Sequence, residues 1–364
     1  NPGRPALLTA GGHELEGFSV SALATYVSVP RFKAAFDLGF CPEGLVPTPS
    51  VFLSHTHLDH AAGVPVWAAL REMRAMEGGR VYCPIESAAA LLGLFDAHGL
   101  LEENDAGSAV QVMGLEHGSV TPLKGCPGLA VHAFAAHHRI PSLGYTVVET
   151  RRKLLPEYVG RSGDEIAALK RGGTPITEDT AVPLFTYIGD CTATTLRAHP
   201  EVGASKVLCI EATHLEDGEE ELSARYGHTH LRHLVELFEA GAPALQAETI
   251  ILKHFSMRYR DAETIRTRVA ATLPPALLAR AQLLSHAGQL RQGHRGERRA
   301  QQQEHPQEPS AAQTAEHRQR RDRFRRYVGM RARRRQRPAL LHQCDGAACD
   351  QVTDAAVDPE QRGL

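Results

Sequence analysis

The sequence predicts an α/β fold whose buried strands end at one common edge, each delivering a metal-capable side chain there. Three observations carry this. The apolar run Val51-Phe52-Leu53 leads through Ser54 into His55-Thr56-His57-Leu58-Asp59-His60, which places four imidazole or carboxylate groups within six residues. Three more apolar runs, residues 185–188, 207–210 and 249–252, end in Gly189-Asp190, Glu211 and Lys253-His254. Between them lie stretches of helical period, as expected when strands alternate with covering helices.

Residues 1–14 read as a loose start. Short β-type runs follow at 26–29 and 34–36, with turns at Pro30 and Gly39. Asp37, closing the second run, is either a turn residue or a carboxylate that orients a metal-bound imidazole. His55 and His57 are two apart on extended backbone, so both rings face one side, while Asp59 and His60 on the following turn face a second ion. Imidazole and carboxylate together suit zinc and its first-row neighbours. A structural zinc site would recruit thiolates, and none is near in sequence. Val64, Val66, Trp67, Leu70 and Met73 give residues 64–76 a helical period, and residues 87–101 form a second amphipathic helix. Strands are expected at 81–83, 110–113 and 129–134. The pair His137-His138 then follows, and a two-ion site needs a further imidazole of this kind.

Composition sets outer bounds. The 364 residues suffice for one large α/β domain, or two. Seven cysteines without a CxxC pair suggest reduced thiols in a cytoplasmic, nuclear or organellar compartment rather than a disulfide framework. No basic-then-apolar N-terminal signal and no long apolar run is present, so neither secretion nor a membrane partner is expected. The net charge of −2 hides a split: residues 291–337 hold 15 Arg against 5 acids, and residues 1–290 are net acidic. Residues 289–364, rich in Arg and Gln and poor in apolar side chains, read as a disordered tail, either attracting RNA or dispensable. Cys344 and Cys349 are too isolated to suggest a metal site.

Several segments in fixed order resemble the ribonuclease Z family of the metallo-β-lactamase superfamily, and most closely its short, plant-type form. They are Ala35-Phe36-Asp37-Leu38-Gly39, His55-Thr56-His57-Leu58-Asp59-His60, His138 before Gly144-Tyr145, Gly189-Asp190, Glu211-Ala212-Thr213, Gly227-His228-Thr229-His230 and His254-Phe255-Ser256-Met257-Arg258-Tyr259. The HxHxDH segment alone indicates only the superfamily; the later segments narrow it. The resemblance runs from about residue 11 to residue 286, and 1–288 is taken as the catalytic domain.

The resemblance implies a four-layer αβ/βα sandwich with metals at one sheet edge, two Zn2+ per subunit (Mn2+ or another divalent ion would satisfy the same donors), and a homodimer acting on precursor tRNA. By position, His55, His57 and His138 hold one ion, Asp59, His60 and His254 the other, and Asp190 bridges. His138 is preferred to His137 for its spacing to Gly144-Tyr145. Two such ions acidify bound water and neutralise phosphoryl charge. Asp59 would aim the nucleophile, and His228, paired with Glu211, would protonate the leaving 3′-oxygen.

Three departures from the family pattern stand out. A shorter insertion, residues 151–173, replaces the long tRNA-gripping arm and offers Arg151, Arg152, Lys153, Lys170 and Arg171 as an RNA-binding exosite. Cys191 follows Asp190 where relatives have Thr. Thr229-His230 stands where many have Ser-Thr, with Thr229 as the expected phosphate contact. The alternatives to an endoribonuclease are a superfamily hydrolase of small phosphodiesters or thioesters, and a non-catalytic RNA-binding relative. The complete ligand set speaks against the last.

Overall fold

The computed structural model describes residues 5–76, 78–101, 110–259 and 261–285. The Arg-rich segment expected to be a disordered tail lies outside these residues. The described residues build two seven-stranded mixed sheets. The first runs in chain order through β1 (Ala6–Ala10), β2 (His13–Val20), β3 (Ala24–Val29), β4 (Ala34–Phe36), β5 (Ser50–Phe52), β6 (Gly79–Pro84) and β7 (Val110–Leu115). The second holds β8 (Val120–Pro122), β9 (Leu129–Ala135), β10 (Leu143–Leu154), β11 (Thr177–Ile188), β12 (Val207–Glu211), β13 (Thr249–Lys253) and β14 (Ala281–Leu283).

Each half repeats one pairing series. In the first, β1 to β4 pair antiparallel and β4 to β7 parallel. In the second, β8 to β11 pair antiparallel and β11 to β14 parallel. The parallel strands β4, β5, β11, β12 and β13 therefore end at one edge, and open α/β sheets bind ligands beyond the carboxyl ends of such strands.

Three apolar clusters set the layers. Between the sheets, Phe36 packs on Phe185 and Tyr187 with ring centroids 5.4 and 5.3 Å apart, and Phe52 meets Tyr145 at 5.4 Å. On the outer face of the first sheet, Trp67, Leu91 and Phe95 from the helices Val64–Met73 and Ile85–Leu101 cover Val51, Leu53 and Val81. Behind the second, Leu234, Leu237, Ile265 and Val269 from the helices Leu231–Glu239 and Ala262–Thr272 cover Leu208, Ile210, Ile250 and Leu252. Strands covered on both faces must be apolar throughout, which is why 249–252 reads as a continuous run. The result is the four-layer αβ/βα sandwich.

The structure corrects two expectations. From Ala6 onward the start is not loose: β1 pairs with β2 from Ala6↔Gly17 to Ala10↔His13, while residues 1–4 lie outside the described residues. Gly11-Gly12, at φ 55° and 79°, closes a two-residue hairpin that needs left-handed backbone at both positions. The strands around the insertion are also longer than the apolar runs suggested. β10 and β11 pair out to Leu154↔Thr177, and the helix Gly163–Arg171 sits at their tip behind a Ser162/Glu165 capping box. Arg151, Arg152, Lys153, Lys170 and Arg171 are exposed there. Their charge is partly met, Arg151 by Glu149 and Arg152 by Asp179 at 3.5 Å. From 149 to 179, six basic and six acidic residues balance, so this hairpin is less basic than its central window.

Candidate metal centre

The segment after β5 leaves the sheet at Ser54 and turns into the short helix Leu58–Ala61. That turn brings His55, His57, Asp59 and His60 to the edge where β9, β11 and β13 deliver His138, Asp190 and His254. Two groups of ligand atoms result, each within 4.8 Å of one another: His55, His57, His138 and Asp190; and Asp59, His60 and His254. A third grouping joins Asp190 and His254 to His228.

The hydrogen bonds fix which ring nitrogens face inward. The Ser54 hydroxyl donates to Asp37, so it accepts from His55 Nδ1 at 3.0 Å. His60 Nδ1 donates to Asp37 Oδ2 at 2.7 Å, and His138 Nδ1 donates to the Gly227 carbonyl at 2.8 Å. The Thr213 hydroxyl donates to Glu211, which leaves its oxygen to accept from His254 Nδ1 at 3.0 Å. Each of these four rings thus carries its proton outward and turns the Nε2 lone pair inward, the arrangement that holds a metal-binding imidazole in one tautomer.

Those lone pairs crowd one another. His55 Nε2 lies 2.9 Å from His57 Nδ1, which is 3.3 Å from His138 Nε2; His60 Nε2 and His254 Nε2 are 3.2 Å apart. Asp190 Oδ1, buried and with no hydrogen-bond partner among the described residues, is 3.2 Å from both of the latter nitrogens. Acceptors turned toward acceptors repel unless a cation lies among them, so the donor set fits divalent metal. Burial pulls His55, His57 and His138 below the ordinary imidazole value and keeps them neutral. Burial acts the same way on His60, but the carboxylates of Asp190 and Asp37 outweigh it and raise that ring to about 10, so without an ion a second proton takes the Nε2 position that a metal would occupy. The same negative field attracts a cation.

The backbone is strained where these ligands emerge. Asp37 and His254, directly after β4 and β13, adopt φ 57° and 62°, a left-handed conformation uncommon for residues with a Cβ. At Gly189 a Cβ would sit 2.0 Å from the Ser54 hydroxyl oxygen, so only glycine lets β11 carry Asp190 this close to the His55 turn.

Glu211 and His228 form a second unit. Glu211 is fully buried, and its Oε1 accepts from the Cys191 amide at 2.7 Å and from His228 Nδ1 at 3.0 Å. Burial lowers the His228 pKa, yet the Glu211 carboxylate more than reverses this and lifts it to about 9. The ring stays protonated at neutral pH, which suits a proton donor. Asp59 Oδ2 accepts from the Ala22 amide at 2.8 Å and lies 3.4 Å from His254 Nε2.

His137 is not in the cluster; its Nδ1 meets the Thr192 hydroxyl at 2.9 Å. Asp37 proves both a turn residue and the partner of His60. Thr229, the expected phosphate contact, is fully buried, and its hydroxyl donates to the Cys191 carbonyl at 2.7 Å. Sequence reasoning also passed over Tyr187, whose hydroxyl donates to Asp37 Oδ2 at 2.5 Å, and Thr213, which links Glu211 to His254. Both stand in segments already singled out, but nothing in their spacing distinguishes a linking hydroxyl from a packed one.

Residues 36–163 match a family model described as a beta-lactamase superfamily domain. The chain is 34% identical over 267 residues to tRNase Z TRZ1 of Arabidopsis thaliana, covering 72% of this chain and 92% of that protein. To the chloroplastic tRNase Z TRZ2 of the same plant it is 33% identical, covering 71% of each. To a nuclear ribonuclease Z of Triticum aestivum it is 33% identical, covering 46% of this chain and 92% of that one. Among solved structures, the human short-form tRNase Z aligns at a TM-score of 0.45 and 18% identity, over 75% of this chain and 96% of that one.

Proposed function

The chain belongs to the ribonuclease Z family, and on that premise we propose that it is a zinc-dependent endoribonuclease removing the 3′ trailer of precursor tRNA after the discriminator nucleotide. The observation that carries this reading is the inward turn of five imidazoles around Asp190, with a protonated imidazole standing beside them.

His55, His57, His138 and Asp190 would hold one ion, and Asp59, His60 and His254, sharing Asp190, the other. When bound, the pair supplies an acidified water and neutralises charge on the phosphoryl oxygens. The chain's own residues do the rest. Asp59, anchored by the Ala22 amide, accepts a hydrogen bond from the attacking water and aims it at phosphorus. Asp37, Ser54 and Thr213 hold the ligand rings in the tautomer that binding requires. His228, kept charged by Glu211, gives its proton to the departing 3′-oxygen, so the tRNA leaves with a 3′-hydroxyl and the trailer with a 5′-phosphate. The exposed cations Arg151, Arg152, Lys153, Lys170 and Arg171 lie on the 143–188 hairpin and would meet RNA away from the bond that is cut. The homodimer implied by the resemblance belongs to the same reading, and light scattering tests it.

The experiment is incubation with a 3′-extended precursor tRNA and, separately, with bis(4-nitrophenyl) phosphate, each with and without chelator. A single chelator-sensitive cut after the discriminator is the expected result. Turnover of the small ester alone would replace this reading with a small-phosphodiester hydrolase.

A further inference from the structure

Beside the metal centre, two exposed residues from different segments meet without taking part in the ligand set. Tyr226 ends the short helix Glu220–Arg225 and is 39% exposed. The Arg139 guanidinium carbon lies 5.9 Å from the Tyr226 ring centroid, and Arg139 is itself exposed. Gly227 makes the meeting possible. It turns at φ +79°, and a Cβ there would lie 2.7 Å from His138 Nδ1 and 3.1 Å from Arg139 Cγ. The Gly227 carbonyl accepts from His138 Nδ1, so one turn fixes a metal-facing imidazole and sets Tyr226 against Arg139.

The place of this pair is defined on both sides. The next residue after Gly227 is His228, whose ring centroid is 5.7 Å from that of His138. On the other side, Arg139 lines an open cleft of about 580 Å³ that also takes in Glu86, His117, His137 and His138. That volume is in the range of about 300–1,000 Å³ typical of sites that accept small ligands. Arg139 is thus shared between this cleft and the Tyr226-Gly227 turn that leads into His228.

We propose that Arg139 and Tyr226 form a stacking seat for the base of the nucleotide whose 3′-oxygen leaves. This rests on the endoribonuclease reading above. In an in-line displacement the leaving oxygen departs opposite the attacking water, on the side of the group that protonates it. With His228 as donor, the nucleotide carrying that oxygen lies against the residues flanking His228. Unpaired bases stack on aromatic rings and on guanidinium planes, and such stacking accepts any base because every base has a π-face. The seat thus fixes the position of the cut without selecting a sequence.

The test pairs protein variants with an RNA variant. Precursor tRNA carrying an abasic residue immediately 5′ of the cut is compared with the intact RNA for the wild-type protein and for Tyr226→Ala, Tyr226→Phe and Arg139→Lys. Loss of one stacked base is expected to raise KM about tenfold for the wild-type protein and for Tyr226→Phe, which keeps the ring. Tyr226→Ala should show almost no abasic penalty, because the seat is already gone. Arg139→Lys, which keeps the charge and loses the plane, should show a reduced one. The same full penalty in Tyr226→Ala and Arg139→Lys as in the wild-type protein overturns the seat. Should Tyr226→Ala not fold, Arg139→Lys against Tyr226→Phe decides alone. If the wild-type protein turns over bis(4-nitrophenyl) phosphate but leaves precursor tRNA uncut, the endoribonuclease reading fails and the seat fails with it.

Discussion

The Nδ1 of His60 donates to the Asp37 carboxylate at 2.7 Å, with both side chains fully buried. Asp37 also receives the Ser54 amide at 2.7 Å and the Ser54 and Tyr187 hydroxyls. One carboxylate therefore orients His60 and, through Ser54, His55, two rings that the proposed function assigns to different ions. Asp37→Asn should weaken zinc binding by about 10- to 100-fold, since partners of ligating imidazoles typically carry that much. Titration against a chromophoric chelator measures this. Unchanged affinity would show that His60 holds its tautomer without Asp37.

Glu211 governs the charge of His228, and the pH profile follows. The folded imidazole, at about 9, lies above its ordinary value of 6.5. In the proposed acid role it would donate a proton while charged, so cleavage should fall as pH rises through about 9. Glu211→Gln should move that basic limb downward, toward the ordinary imidazole value. By linkage, the raised folded pKa contributes stability fully present below about 6.5 and lost as pH rises toward 9. A basic limb that stays in place in Glu211→Gln would remove His228 from the acid role.

His228→Ala should keep its zinc, because the other ligands suffice, while cleavage of precursor tRNA drops by about 10²- to 10⁴-fold. Metal analysis of the purified variant separates the two effects. Loss of zinc in step with activity would make His228 a ligand instead.

Lys253 is buried between the sheets, and its Nζ has no hydrogen-bond partner among the described residues. It rests 4.7 Å from the centroid of the Tyr187 ring, an attraction worth about 0.5–2 kcal/mol. An ammonium buried without hydrogen bonds costs more than that. Lys253→Met should therefore raise the melting temperature of the metal-free protein by about 2–4 °C per kcal/mol gained. A lower melting temperature would show that the carboxylates of the centre already repay its burial.

At the hairpin, neutralising Arg152, Lys153, Lys170 and Arg171 together should weaken RNA binding and flatten its salt dependence by about 0.7–0.9 for each phosphate that is no longer neutralised. An unchanged slope would mean that these cations stay in solvent.

The sequence was most informative where chemistry and packing coincide. The runs 207–210 and 249–252 form strands that extend only one residue further, to Glu211 and Lys253, because strands covered on both faces admit few polar side chains. The ligand segment was legible because six residues rarely hold four donors by accident. Positions whose role depends on distant partners were harder. Thr229 lies in a polar segment, yet its hydroxyl turns inward to a carbonyl 38 residues away. The β1–β2 hairpin was signalled by Gly11-Gly12 but lies in a stretch with modest hydrophobicity. The length of β10 was hidden because its outer half, Thr150 to Lys153, is exposed and polar.

The repeated pairing series divides the ligands between the two sheets. His55, His57, Asp59 and His60 follow strands of the first, whereas His138, Asp190 and His254 follow strands of the second. Neither half alone supplies all the donors of either group, so ions captured there would also act as rivets across the seam. Stripping them should loosen that rim before the aromatic interior, and amide exchange would quicken first at the exits of β5 and β13.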